Sequence, residues 1–344
     1  MHPEIDAAIR ASLGVPRGSL SVGLAPTGGA TSQGPSRPIR KHWPGRVHPV
    51  LDWLDSTPRS GYGGAPVLSM CTLIAVHRCI PGRWLAVGAN RDEFFDRPSE
   101  PPRLRLSGAT PVVAPLDRRA GGTWLGVGAH GVFAALTNLA SGSPDPTMKS
   151  RGSIVWDALS STSAREAAET MEALPIRTYN PFNCFVADEE EAFLVSYRDR
   201  AEAIALEPGI YVIGNADALA SHQGRRADVN IGDPRQERVE GVEAHVQAAL
   251  SGSEEDHLAA LRTICRLHGS PEDEHAVTCI HGSDTYGTRS SILLELSEAA
   301  RESRLLYADG APCESEYLDF SSLLDELRCA PSYGSAESLM RISS

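Results

Sequence analysis

The sequence lacks three features that would place it in common classes of protein. No run approaches the roughly 18 to 20 apolar residues of a membrane-spanning helix, and the N-terminus lacks the basic-then-apolar order of a secretory signal. Basic residues are not in excess: a net charge of −12 argues against nucleic acid or an anionic membrane surface as the main partner. We therefore expect a cytoplasmic protein without a transmembrane segment, whose partner is a small-molecule substrate or ligand.

The cysteines lack the spacings of a disulfide framework or a zinc site. There are seven of them, an odd number, and no C-x-x-C pair occurs. We expect most to be reduced and structural, and we predict no metal site. Two Cys–His pairs lie two residues apart on predicted strands, where both side chains would share a face: His77 with Cys79, and Cys279 with His281. His77 and His281 are therefore candidate haem ligands, although a buried thiol beside a structural imidazole is the simpler interpretation.

The composition divides the chain into three parts. Residues 14–66 are dense in Gly, Pro, Ser and Arg with almost no apolar periodicity, so they bury too little surface to offset the entropy of ordering. We predict a disordered extension over residues 1–69, one domain over 70–329 and a flexible tail over 330–344.

Within the domain, strands and helices come in blocks. Apolar, β-branched runs at 71–78 and 83–90 flank Pro81-Gly82 and predict a hairpin, with Asn90-Arg91-Asp92-Glu93 as a polar loop after it. The G-x-G-x-x-G motif at 126–131 is followed by a strand-like run, so it predicts a second hairpin rather than a dinucleotide site. Helical patterns follow at 151–160, 163–174, 236–250, 254–267 and 317–328. This arrangement favours an α+β fold with antiparallel sheets.

Cys71 is the sharpest candidate for chemistry. Met70-Cys71 followed by a strand has the form of a chain start, and a free α-amine with a pKa of about 7.7–8.0 can act as base for its own thiol. Polar residues at predicted strand ends could complete such a site, and the candidates are Arg91, Asp92, Asn138, Asn215 and Arg289. An Asn amide that donates to an oxyanion contributes about 10²–10³ in rate.

Together these blocks resemble the NRDE family, also called the transport-and-Golgi-organisation protein family. The matching motifs run in family order over residues 70 to about 329: Met70-Cys71, NRDE (90–93) with Phe94 and Arg97-Pro98, GGTWLG (121–126), GVFAALTN (131–138), KSRG (149–152), YNPFN (179–183) and YGTRSS (286–291). The resemblance implies an N-terminal-nucleophile hydrolase-like fold, a four-layer αββα sandwich with two antiparallel sheets. By analogy with choloylglycine and penicillin V acylases, it also implies catalytic roles for Cys71, Arg91, Asp92, Asn138, Asn215 and Arg289.

Two functions remain open. The first is an amide or thioester hydrolase with Cys71 as nucleophile, its α-amine as base and no cofactor. The alternative, also implied by the resemblance, is a non-catalytic protein that binds and traffics haem or a lipid or acyl-CoA compound. The extension before Cys71 has three explanations: translation starts at Met70, residues 1–70 are a removable propeptide, or the extension is retained and Cys71 lacks its own base.

Overall fold

The structure is a computed structural model that describes residues 71–140, 144–219, 233–251, 256–270, 273–281 and 284–330. The predictions for residues 1–69 and for nearly all of the tail lie outside these ranges. Within them, no helix is both long and apolar enough to cross a membrane.

Fifteen strands and five α-helices form the described part of the chain. The strands are β1 (Thr72–Ile80), β2 (Arg83–Phe94), β3 (Ser99–Ser107), β4 (Thr110–Asp117), β5 (Leu125–Gly128), β6 (Phe133–Asn138), β7 (Phe182–Ala187), β8 (Ala192–Tyr197), β9 (Ala201–Leu206), β10 (Gly209–Ile213), β11 (His268–Ser270), β12 (Asp273–Val277), β13 (Tyr286–Ser297), β14 (Arg304–Ala308) and β15 (Leu318–Asp319). The helices are α1 (Gly152–Leu159), α2 (Ala164–Glu172), α3 (Pro234–Leu250), α4 (His257–Ile264) and α5 (Ser322–Cys329).

The strands form two large antiparallel sheets and one small ribbon. Sheet I has the order β10-β1-β2-β13-β14-β15, sheet II runs β3 to β9 in chain order, and β11 pairs only with β12. Every neighbouring pair is antiparallel, as hairpins and meanders produce. The strand pattern of the sequence therefore predicted the sheet type correctly.

Three apolar clusters define four layers. Alternate residues of β1 point to opposite faces: Leu73 and Ala75 pack between the sheets, and Ile74 and Val76 pack beneath α3 and α4. On the outer face of sheet II, α1 and α2 cover a third cluster that includes Phe182. The order helix, sheet, sheet, helix confirms the predicted αββα sandwich.

The glycines of the G-x-G-x-x-G motif form the turn of the predicted hairpin and allow a helix to pack closely against it. β5 and β6 pair around residues 129–132, which confirms the hairpin, and Gly131 adopts a φ of +83° in the turn. A Cβ on Gly128 would lie 2.0 Å from the carbonyl oxygen of Leu159 at the end of α1. The motif therefore allows a helix to approach a sheet closely, which is unrelated to phosphate binding.

The structure corrects two sequence predictions. Residues 90–93 are not a loop: β2 continues to Phe94 because β13 pairs with it along that whole stretch. Cys279 and His281 are not on a strand as predicted: β12 ends at Val277, because the amides of Thr278 and Cys279 both donate to the carbonyl of Leu267.

Edge strands account for most of the missed elements. β3 and β4 contain prolines, which weaken the strand pattern, and β3 and β9 form the two edges of sheet II, where prolines and charged residues are tolerated. The last helix begins later than predicted, because Leu318 and Asp319 pair with β14 as a short strand.

Candidate active site

Cys71 lies at the end of sheet I, where three strands bring polar residues into one row. Thr72 pairs with Asn90 and Leu73 pairs with Ile213, so the next step of each ladder places Cys71 between Arg91 and Asn215. Paired residues of antiparallel strands point to the same face. The Cys71 and Arg91 side chains therefore both face the space between the two sheets.

Asp92 points to the opposite face, toward the helix layer. Its side chain is buried, and its Oδ1 accepts a hydrogen bond of 2.5 Å from Thr288 Oγ1. Burial raises the pKa of Asp92 to about 6, although the Arg238 guanidinium on α3 opposes the shift. Asp92 Oδ2 is buried without a hydrogen-bond partner among the residues described. The carboxylate is thus held by Thr288 and keeps one oxygen available as an acceptor.

The Cys71 thiol is close to Asp92 and has a raised pKa. Sγ lies 3.6 Å from the carbonyl oxygen of Asp92. Burial, reinforced by the negative charge of Asp92, raises the pKa of the Cys71 thiol to about 11. With Cys71 amide-linked to Met70, the sulfur is therefore protonated at neutral pH and needs a base to become a nucleophile.

Arginines gather around the thiol. Arg91 is buried, its guanidinium carbon lies 4.7 Å from the centre of the Trp124 ring, and Nη2 lies 3.5 Å from Glu93 Oε2. Arg97 and Arg151 also interact electrostatically with Cys71. Sequence reasoning assigned Arg91 to the site but gave no role to the other two, although both lie in the quoted family motifs.

Arg97 and Arg151 differ in how their charges are compensated. Arg97 forms ion pairs with Glu93, at 3.1 Å, and with Asp117. Arg151 donates to the carbonyl of Pro181 at 2.9 Å and has no carboxylate partner in the described ranges. Burial, together with the neighbouring Arg97 charge, lowers the pKa of Arg151 to about 10, so it still carries a full charge at neutral pH.

The two candidate asparagines connect the sheets beside Cys71. Asn215 follows β10 and is buried, and its side-chain amide donates to the backbone carbonyl of Asn138 at the end of β6. The carbonyl of Asn215 accepts from Ala140 N at 3.0 Å, and Thr137 Oγ1 donates to Gly214 O at 2.7 Å. These bonds orient the Asn215 side chain and place the backbone of Asn138 beside it, where the two sheets meet.

Arg289 has a different environment from the other candidates. It occupies a bulge in β13, between the pairs that Thr288 and Ser290 make with β2, and its Nη1 lies 2.9 Å from Asp309 Oδ1. Because β2 separates β13 from β1, Arg289 lies two strand spacings, about 9–10 Å, from the backbone of Cys71. The structure thus brings together Cys71, Arg91, Asp92, Asn138 and Asn215, with Arg289 at the margin.

Of the two candidate haem ligands, His77 lies at the opposite end of β1 from Cys71, whereas His281 follows Ile280, whose amide donates to the Thr288 hydroxyl that holds Asp92. His77 is buried, and Cys79 is exposed, because β1 bulges between His77 and Ile80 at Arg78, whose φ is +54°. Burial lowers the pKa of His77, which favours a neutral imidazole packed in the fold. His281 instead lies in a group with Cys279 and two residues that the sequence did not suggest, His268 and Cys313.

Comparison with known proteins identifies the family. The profile described as Transport and Golgi organisation 2 matches residues 70–304, which is more than half of the chain. The chain belongs to this family. The resemblance drawn from the motifs is therefore confirmed, and the match begins at the Met70-Cys71 pair.

Curated relatives within the Transport and Golgi organisation 2 family match part of the chain. The mouse protein "Transport and Golgi organization 2 homolog" is 34% identical over 140 residues, which cover 38% of this chain and 50% of that protein. The human homologue is 33% identical over the same length and the same shares. The chain spans about half the length of the curated relatives it matches.

Solved structures with a similar arrangement include an acylase and an amidase. Penicillin V acylase from Agrobacterium tumefaciens has a TM-score of 0.47 at 12% identity, covering 74% of this chain and 87% of that chain. The Caenorhabditis elegans N-acylethanolamine-hydrolyzing acid amidase orthologue has a TM-score of 0.44 at 14% identity, covering 75% and 97%.

Proposed function

We propose that the protein is a hydrolase of amide or thioester bonds that uses Cys71 as its nucleophile once the α-amine of Cys71 is free. One observation carries the proposal: the Cys71 thiol at the end of β1 lies beside a buried carboxylate, a set of guanidinium groups and the contact between Asn215 and the backbone of Asn138. Fold alone does not assign a function, so the proposal rests on this group of side chains.

The α-amine supplies what the amide-linked thiol lacks. A free amine with a pKa near 7.7–8.0 can take the thiol proton at neutral pH. Once protonated, it is a cation next to the sulfur and stabilises the thiolate. Asp92, ionised above about pH 6, has an oxygen that can accept a hydrogen bond from this ammonium group and orient it. Asp92 is thus a positioning residue, and Cys71 provides both nucleophile and base.

The reaction then takes two steps that balance. Sγ of Cys71 attacks the substrate carbonyl carbon, the bond to the leaving nitrogen or sulfur breaks, and the α-ammonium returns the proton to the leaving group. Water, deprotonated by the same amine, next hydrolyses the acyl-thioester and restores the thiol. The amides of Asn138 and Asn215 are the donors that we assign to the oxyanion in both steps.

The uncompensated charge of Arg151 suggests the class of substrate. A half-buried guanidinium without a carboxylate partner favours a ligand that brings its own negative charge. We therefore propose an acyl compound with a carboxylate or phosphate group, bound so that this group faces Arg151 while the carbonyl reaches Cys71.

A trapping experiment tests the nucleophile. Protein that starts at Met70, with removal of the methionine verified by intact mass, is mixed with a carboxylate-bearing acyl thioester and quenched in acid. We expect the acyl group on the peptide that begins with Cys71, and steady release of free thiol. Cys71→Ala should abolish both signals, whereas Cys79→Ala, which removes an exposed thiol outside the site, should leave them unchanged. Turnover that persists in folded Cys71→Ala would contradict the proposal.

The alternative of haem or lipid binding without turnover stays a prediction. Titration with haemin tests it, because a ligand from His77 or His281 would shift the Soret band, and the corresponding alanine variant would remove the shift. No contact among the residues described favours this alternative over the hydrolase.

A further inference from the structure

Four metal-ligand side chains converge at a place that the proposed reaction does not use. They are His268, Cys279, His281 and Cys313, and one ligand atom from each lies within 4.8 Å of all the others. Cys279 Sγ is 3.6 Å from Cys313 Sγ and 4.0 Å from His281 Nε2, and His281 Nε2 is 3.1 Å from Cys313 Sγ. The imidazole rings of His268 and His281 are 5.1 Å apart.

From this cluster we infer a Zn²⁺ site of the Cys₂His₂ type on the helix-covered side of sheet I. In a tetrahedral zinc site, bonds of about 2.3 Å to sulfur and 2.0–2.1 Å to nitrogen place the ligand atoms roughly 3.3–3.8 Å apart. The three distances within the cluster bracket this value. Two thiolates and two neutral imidazoles also neutralise the charge of the ion.

The contact of His268 supports its role as a ligand. Its Nδ1 lies 3.0 Å from the carbonyl oxygen of Cys279, so a proton on Nδ1 donates there. That bond leaves Nε2 with the lone pair, which is how most metal-binding histidines are oriented. The hydrogen bond thus prepares one ligand by means of the backbone of another.

The size and exposure of the cluster favour a single ion over a haem group. Four donors that converge on a space of this size leave no room for a porphyrin, whose iron is bound only from its two faces. Cys279 is buried, but His268 and His281 are exposed, so an ion can enter from solvent. Zinc accepts this mixture of sulfur and nitrogen ligands in tetrahedral geometry.

The site would tie together segments that lie far apart in the sequence and lead to Asp92. The ligands come from the start of β11, from the residues after β12, and from the turn that follows β14. Ile280, between two ligands, donates its amide to Thr288 Oγ1, which in turn donates to Asp92. A metal that fixes residues 279–281 therefore also fixes the hydroxyl that holds the Asp92 carboxylate.

Cobalt binding tests the site without reference to activity. Tag-free full-length protein is reduced, stripped with a chelator and titrated with Co²⁺. We expect one equivalent to bind, with the visible bands of tetrahedral cobalt and a thiolate-to-cobalt charge-transfer band in the near ultraviolet, and we expect Zn²⁺ to displace it. Cys313→Ser should weaken binding by more than about tenfold, because ligand loss exceeds the effect of outer contacts.

Matched thiol variants control for cysteine chemistry elsewhere. Cys79→Ser and Cys329→Ser each remove an exposed cysteine outside the cluster and should bind cobalt as the unchanged protein does. If Cys313→Ser does not fold, His281→Ala, at an exposed position, provides the same comparison. Folded, reduced protein that takes up no cobalt, or that binds it equally in the ligand variants, overturns the inference. The result is independent of whether Cys71 hydrolyses any substrate.

Discussion

At the scale of single residues, Cys71 and Asp92 experience the same physical effect with opposite consequences. Burial raises the pKa of both groups, to about 11 for the thiol and to about 6 for the carboxyl. At neutral pH the thiol is therefore a neutral, weak nucleophile, whereas the carboxyl is still ionised. A free α-amine beside both groups would accept the proton of the Cys71 thiol. It would also donate a hydrogen bond to the Asp92 carboxylate.

The raised pKa of Asp92 predicts a specific pH dependence of stability. Because the unfolded carboxyl loses its proton near pH 3.8 and the folded one near 6, the contribution of Asp92 to the free energy of unfolding falls as pH rises through that window. Asp92→Asn removes this contribution and can still accept from Thr288. As pH rises from 4 to 7, the free energy of unfolding of the variant should increase by up to about 3 kcal/mol relative to that of the unchanged protein.

Urea unfolding at several pH values measures this difference. Asp199→Asn, at an exposed position, serves as the control and should give a curve parallel to that of the unchanged protein. If Asp92→Asn also runs parallel, Asp92 does not titrate near 6 in the fold.

Arg151 predicts a charge requirement in the substrate. Arg151→Gln should raise KM for an anionic acyl donor by roughly 10- to 100-fold, since a hydrogen bond to a charged group contributes about 1.5–3 kcal/mol. A neutral donor of the same acyl chain should be affected much less. Steady-state kinetics on the matched pair measure this, with the exposed Arg200→Gln as control. Equal losses for both donors would remove Arg151 from substrate recognition.

At the scale of elements, local pattern predicted most strands and helices, and pairing with distant strands decided the rest. The polar stretch at 90–93 has the composition of a loop, yet it is a strand because β13, almost 200 residues later, pairs with it. The proline-containing β3 and β4 are strands for the same reason: they pair with each other, and local propensity takes no account of such pairing. The sequence thus predicted elements whose apolar residues recur at strand or helix spacing. It did not predict strands that form only because a distant strand pairs with them.

The contact between α1 and the β5–β6 hairpin predicts a sharp glycine requirement. Gly128→Ala would place Cβ about 2.0 Å from the Leu159 carbonyl, so helix and sheet must separate. We expect a loss of roughly 1–3 kcal/mol in the free energy of unfolding, measured in urea. Gly131→Asn is the matched control: nothing lies within 4 Å of its Cβ, and Asn tolerates the positive φ there. Equal losses in both variants would mean that turn conformation, and not close packing, explains the motif.

At the scale of the whole molecule, the candidate sites depend on contacts between distant segments. Cys71, Arg91 and Asn215 could be proposed from the sequence because each stands at the end of a predicted strand, and strand ends can meet at one edge of a sheet. Arg151 and Arg238 come from helical segments with no such regularity. Cys279 and His281 are two residues apart and could be paired from the sequence, but His268 and Cys313 have no close spacing that points to the same cluster. Only the folded arrangement of layers brings these residues together.

The proposed mechanism predicts that hydrolysis depends on where the chain begins. Among the residues that the structure describes, the three apolar clusters run from Leu73 to Leu327, so a chain that begins at Met70 retains all of these cluster residues. Removal of the methionine then frees the α-amine of Cys71. Full-length protein, in which that nitrogen is an amide, should hydrolyse the substrate about 10²–10⁴-fold more slowly, the usual contribution of a general base. Intact mass must verify both N-termini, and Cys71→Ala in each chain sets the background. Equal rates from the two verified chains would show that the base is another group, and Cys71 would have to be activated from within residues 72–330.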